Sequence, residues 1–198
     1  CVARKGLART FQAIKLSKKM TTLANVMIGR HVRSRSGFPQ AMLASPWARR
    51  EEGRTKDEAM KAIELLGIAE YADRETGGLP FGVQRSVELA RAIASEPKLL
   101  LLDEPASGLN IRETGALALL INRIRAKGIS ILLVEHDMSL VMDISDDIAV
   151  LNFGKKIAQG KPHEIQANRA VIDIYLGEDD AEGAQPGGRL RLLASAQG

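Results

Sequence analysis

The chain has 198 residues, of which 45% are hydrophobic and 26% charged, a globular balance with length for one domain or most of a larger one. Its single cysteine, Cys1, excludes a disulfide framework and fits a reducing compartment, and no apolar run reaches the ~18 residues of a membrane-crossing helix. The formal charge of +4 does not argue for nucleic acid, because the basic residues are scattered and only four Phe, two Tyr and one Trp are available to stack on bases; we read it as a solvated surface suited to an anionic membrane leaflet.

The first segment opens on Cys1 rather than Met, lacks the apolar core of a secretory leader, and ends in the polar, strand-like run Arg9-Thr10-Phe11-Gln12. That start leads us to expect further sequence upstream. Residues 20–95 read mostly as helix. One helix begins after Thr21, a capping residue type, and is expected to stop at Gly29. A loop rich in turn residues follows over residues 34–46. A second helix is expected over 56–66, where Ala59, Ile63 and Leu66 share a face and Gly67 ends the run.

Beyond residue 98 the pattern changes. Residues 99–102 are four leucines, and residues 129–134 and 148–153 are further short apolar runs. Each is too short for an ordinary helix and matches a strand buried on both faces. Helical patterns lie between them, at 113–127 and 138–145, so the order predicts an α/β fold with a parallel sheet flanked by helices. Residues 162–175 form one or two short helices. The acidic, Gly- and Pro-rich stretch from residue 178 to 198 is expected to be a disordered tail.

The strongest chemical signal is Leu101-Leu102-Asp103-Glu104-Pro105, a buried strand that delivers two carboxylates to its C-terminal end, where open α/β sheets bind ligands. Asp103 suits a hard cation such as Mg²⁺, and Glu104 suits acceptance of a proton from water. Upstream, Leu79-Pro80-Phe81-Gly82-Val83-Gln84-Arg85 leads into a helix whose N-terminus offers N–H groups and a positive dipole end to anions. Downstream, His136 follows the second apolar run, residues 129–134. His31 and His163 read as ordinary surface or core histidines.

These residues, in this order, resemble the ATP-hydrolysing subunits of ABC transporters. Residues 79–91 resemble the signature motif and its helix, and 99–104 the Walker B strand. Gln12 matches the Q-loop, Ser107-Gly108-Leu109-Asn110 the D-loop and His136 the switch histidine, so the resemblance covers residues 1–177. Thr10-Phe11-Gln12, Leu79-Pro80-Phe81-Gly82, Glu135-His136-Asp137-Met138 and Tyr175-Leu176-Gly177-Glu178 are similar to the subgroup that powers branched-chain amino-acid importers. The fold implied is the P-loop NTPase type without its N-terminal part, with a helical subdomain over 20–95 and a catalytic α/β part over 96–177.

The resemblance also implies roles. Gln12 would sense Mg²⁺ and the γ-phosphate, Asp103 would hold Mg²⁺ through water, Glu104 would polarise the attacking water, and His136 would contact the γ-phosphate. Leu79, Pro80, Phe81, Gly82, Val83 and Gln84, with Asn110, would address the ATP held by a second ATP-binding subunit. Transmembrane permease subunits would be the other partners, at the cytoplasmic face of the inner membrane. The sequence departs from the family at Pro80 for Ser, Val83 for Gln and Asn110 for Asp. It also holds no G-x-x-x-x-G-K-[ST] pattern, the phosphate cradle of these enzymes. The residues present are therefore those of a half-site, and the alternative is a catalytically silent module that docks on the membrane subunit. An ABC-type ATPase of DNA repair is set aside, because no sustained heptads lie between Gln12 and Leu79.

Overall fold

The computed structural model describes residues 5–10, 13–30, 46–179 and 191–196. Gln12 and most of the loop expected over 34–46 lie outside these. The chain separates into two compact units, Cys1–Leu100 and Leu101–Gly198.

The first unit is chiefly helical: α1 (Thr22–Arg30), α2 (Pro46–Leu65) and α3 (Phe81–Ile93), with short 3₁₀ turns at Ala69–Tyr71 and Thr76–Gly78. Thr21 caps α1 as expected, its Oγ1 accepting from the Ala24 N–H at 3.1 Å. The expected stop at Gly29 is corrected, because the helix continues through it. Gly29 serves close packing instead: a Cβ there would lie 2.0 Å from the Arg91 carbonyl oxygen on α3. Ala59, Ile63 and Leu66 are all buried, as their spacing predicts. Beyond them Gly67 takes a φ of 68° and the Ile68 N–H returns to the Ile63 carbonyl, a left-handed cap that ends the helix. Short strand β1 (Leu7–Arg9) lies nearby, and the Gly6 carbonyl accepts from Lys98 and Leu99 at the start of β2 (Leu99–Asp103).

The buried amide of Asn25 holds the entry to α1. Its Oδ1 accepts from the Ser17 N–H at 2.9 Å, and its Nδ2 donates towards the carbonyls of Ser17, Met20 and Thr21. Thr76 adds a hydroxyl donor to the Ser17 carbonyl. A buried amide can satisfy both kinds of backbone group at once, which an aliphatic side chain of the same size cannot do.

In the second unit the strand order runs β2-β3-β6-β4-β5, with β3 at Ser130–Glu135, β4 at Asp147–Asn152, β5 at Lys155–Gly160 and β6 at Arg191–Ala196. Helices α4 (Ile111–Arg125) and α5 (Met138–Ile144) connect the early strands, and α6 (Pro162–Gln166) and α7 (Arg169–Asp179) follow β5. The α/β class is the expected one. The sheet is mixed rather than wholly parallel: β6 runs antiparallel to both β3 and β4, and β5 antiparallel to β4.

The apolar runs alternate between buried and half-buried residues instead of being sealed on both faces. Leu100, Leu102, Ile131, Leu133, Ile148 and Val150 are at most 2% exposed and make the core side of the sheet. Phe153, expected inside a strand, leaves it. With Gly154 it forms a turn with φ values of 46° and 77°, the positive torsions of a tight hairpin, and β5 returns along β4.

The expectation of a disordered tail is corrected at residues 191–196. There Leu192, Ala194 and Ala196 alternate with Leu193 and Ser195, and the first set is buried at 4% exposure or less. That period of two is strand patterning, short enough to be masked by the Gly and Pro before it. Residues 180–190 lie outside the described ones.

Candidate functional site

β2 ends at Asp103, which is half-buried, and the next residue, Glu104, is 5% exposed. Glu104 has a φ of 45°, the left-handed region that L side chains rarely adopt. Its backbone is held there from both sides: its N–H donates to the Val134 carbonyl at 2.8 Å, and its carbonyl accepts from the Ser107 N–H at 3.1 Å. A strained backbone over-determined by its neighbours is a common feature of functional turns. The bond to Val134 also sets the end of β2 beside the end of β3.

The residue that organises this corner is one the sequence reading assigned no role. Glu135, the last residue of β3, is 1% exposed. Its Oε1 accepts from the Ala106 N–H at 2.8 Å, and its Oε2 from the N–H groups of His136 at 3.0 Å and Asp137 at 3.4 Å. One carboxylate thus fastens the loop after β2 to the loop after β3. The signal was present in the sequence, since Glu135 continues the buried series Ile131, Leu133 in steps of two. An acidic residue that falls on the core face of a strand has to have donors waiting for it.

His136 leaves this anchored backbone with its side chain 54% exposed, and its Nδ1 stands 3.6 Å from Glu135 Oε2, an electrostatic approach longer than a hydrogen bond. Asp137 is spent on structure, capping α5 by accepting from the Leu140 N–H. Asn110 is likewise engaged in a reciprocal capping box with Glu113, two bonds of 3.0 Å that start α4. Its side-chain oxygen is therefore committed to the helix.

The other candidate residues belong to the first unit. Pro80 is the N-cap of α3 and offers no side-chain cap, so the N–H groups of Phe81, Gly82 and Val83 have no partner within the helix. Leu79 is buried, Phe81 is 44% exposed, and Gly82 and Val83 are half-buried. Gln84 turns back, its Nε2 donating to the Leu79 carbonyl at 2.8 Å. Beneath this turn Arg85 and Glu88, each 2% exposed, pair at 2.8 Å, and the Arg85 guanidinium lies 5.8 Å from the Phe81 ring centre. The helix start is thus fixed from inside while its first turn stays open.

The donor set fits one side of a Mg²⁺–nucleotide site. Among the described residues no group of three or more His, Cys, Asp and Glu gathers to hold a metal alone. Mg²⁺ does not need one: it keeps several waters and takes one or two carboxylates together with substrate phosphates, which Asp103 at a strand end can serve. The phosphate-cradling pattern is not in this sequence. Among the described residues no helix is long and apolar enough to cross a membrane.

Comparison with known proteins matches residues 1–107 to the ABC transporter family and residues 155–181 to the branched-chain amino acid ATP-binding cassette transporter family. The chain is 42% identical over 178 residues to the high-affinity branched-chain amino acid transport ATP-binding protein BraF of Pseudomonas aeruginosa, covering 89% of this chain and 70% of that one. It is also 42% identical over 178 residues to the corresponding LivG protein of Escherichia coli K12, with the same coverage. Among solved structures, the ADP conformation of MJ1267, an ATP-binding cassette of an ABC transporter, matches with a TM-score of 0.72 at 29% identity, over 89% of this chain and 70% of that one.

Proposed function

Since this chain belongs to the ATP-binding subunits of ABC transporters, in their branched-chain amino-acid branch, we propose that it serves ATP hydrolysis that drives import of branched-chain amino acids. The observation that carries the reading is the corner at the ends of β2 and β3, where Asp103, Glu104 and His136 leave backbones tied together through Glu135.

Each residue has a task that its setting supports. Asp103 supplies a carboxylate for Mg²⁺; when bound, that ion neutralises charge on the phosphates and orients them. Glu104, buried and held by its own backbone, accepts hydrogen bonds from the attacking water and raises its nucleophilicity. His136, exposed on a fixed backbone, donates to charge developing on the terminal phosphate. The open first turn of α3 presents backbone N–H groups to a nucleotide held by a second ATP-binding subunit, a contact that survives the loss of a serine hydroxyl at Pro80. Gln12 links the site to the permease subunits, which hold the chain at the cytoplasmic face of the membrane.

The 198 residues alone are expected to show no saturable binding of ATP at about 1 mM with Mg²⁺, because phosphate affinity in P-loop proteins rests largely on the cradle and its lysine. Calorimetric titration tests this, and Mg²⁺-dependent saturation would overturn the half-site argument. In a version supplied with a G-x-x-x-x-G-K-[ST] segment, Glu104→Gln should lower kcat by about 10²-fold or more while ATP remains bound. Unchanged turnover would remove Glu104 from its role.

Val83, where the family's signature has Gln, favours a second reading, a catalytically silent module that docks on the permease. It predicts stable co-purification with the permease and an indifferent Glu104→Gln substitution.

A further inference from the structure

The two oxygens of Glu135 are divided between two loops. Oε1 serves the loop after β2, at the Ala106 N–H, and Oε2 serves the loop after β3, at the N–H groups of His136 and Asp137. Ala106 stands two residues beyond Glu104, and the Ser107 N–H next to it closes on the Glu104 carbonyl. The bond at Ala106 therefore braces the turn that holds Glu104 at a φ of 45°. On the other loop, Asp137 goes on to cap α5 at the Leu140 N–H, 3.1 Å away, so His136 is held between a strand end and a helix start. A carboxylate is planar with its oxygens a fixed distance apart, and donors bound to both oxygens inherit that spacing.

We infer that Glu135 is a positioning residue for hydrolysis, which sets the distance between Glu104 and His136 by holding both of their loops. This rests on the nucleotide reading above and adds to it a residue that acts through the backbone of its neighbours. Two features support a role beyond stability. Its three hydrogen-bond partners all lie in the loops that carry the candidate chemistry, and at 1% exposure it is sealed beneath them. Misplacing reacting groups by about 1 Å can cost about 10²-fold in rate, so a shared anchor for two such groups bears on turnover directly. All three partners are donors, which makes glutamine a selective lesion. Its side chain has nearly the same shape, but one end is an NH₂ that cannot accept. Whichever loop meets that end is released, while the other stays held.

The first arm of the test uses the 198-residue chain. In Glu135→Gln, amide hydrogen exchange followed by NMR should speed up at least about tenfold at one loop, at Ala106 or at His136 and Asp137, while Leu133 stays protected. Unchanged exchange at all three amides would overturn the proposal. The second arm uses the version supplied with a G-x-x-x-x-G-K-[ST] segment. There Glu135→Gln should lower kcat per folded molecule by about tenfold or more, with KM for ATP within about twofold of the unaltered value. Glu135→Asp keeps two acceptors on a shorter arm and should recover at least about threefold of that loss. A role in stability alone would reduce the folded fraction and leave kcat of the folded molecules unchanged, which would overturn the proposal, as would a raised KM at unchanged kcat. If Glu135→Gln does not fold, Glu135→Asp decides, with a kcat at least about threefold below the unaltered value expected. Absence of turnover in the unaltered version would overturn the nucleotide reading and this proposal with it; turnover insensitive to Glu135→Gln would overturn this proposal alone.

Discussion

Asn25 in the first unit and Glu135 in the second are buried polar side chains that fasten loops by opposite chemistry. Asn25 both donates and accepts, closing a turn whose backbone presents carbonyls and an N–H to the same point. Glu135 only accepts, and the three backbone N–H groups around it belong to the loops that carry the candidate chemistry. The difference teaches what each loop is for. A neutral amide suits a turn that has only to be closed. Converging N–H groups held by a carboxylate pull two strand ends into one corner, and the cost of an unmatched partner is larger there because the acceptor is charged.

The comparison can be broken most directly at Glu135. Glu135→Ala should destabilise the second unit by about 4 kcal/mol, since several donors are left without an acceptor in a buried place. Denaturant unfolding followed by a probe in β3 or β4 measures this, and a loss below about 1 kcal/mol would mean that water replaces the carboxylate. Asn25→Ala should cost less, about 2 kcal/mol, because its partners lie in a turn nearer to solvent. An equal or larger loss there would reverse the contrast between charged and neutral fasteners.

The smallest effect is expected at an ion pair on the surface of α2. Glu58 lies below its usual carboxylate range through a hydrogen bond from Lys61, with burial acting slightly against it and the Lys61 charge adding to it. Its folded value is depressed, so its contribution is present above the unfolded value and is lost as pH falls through the folded one. Lys61→Ala should raise the Glu58 titration midpoint in an NMR experiment and leave the melting temperature unchanged within error. A measurable loss of stability would show that exposed pairs matter here as buried fasteners do.

The legible parts of the fold were those written in a continuous pattern. The leucines of β2 and the faces of α2 and α4 announce themselves because burial selects side chains at a fixed period. β5 did not, since Lys155, Lys156 and Gln159 make it polar and its pairing follows from the hairpin at Phe153 and Gly154. β6 was missed for a different reason: six residues in a breaker-rich stretch acquire meaning only from β3 and β4, far away in sequence. At the candidate site, Asp103, Glu104 and His136 stood out as polar residues ending apolar runs. Glu135 lies beside His136 in the sequence, but its importance rests on which face of β3 it occupies. Asn110 was legible as a polar loop residue, but its engagement as a cap depends on Glu113 three residues on.

The contact at Gly29 reaches further than local packing. With no side chain between them, the backbone of α1 rides directly on the Arg91 carbonyl of α3. Arg30 adds a hydrogen bond to the Ala94 carbonyl and an ion pair to Glu96 at the end of the same helix. Any side chain at residue 29 would have to displace main chain rather than a flexible side-chain end, so even alanine there would prise α1 away from α3.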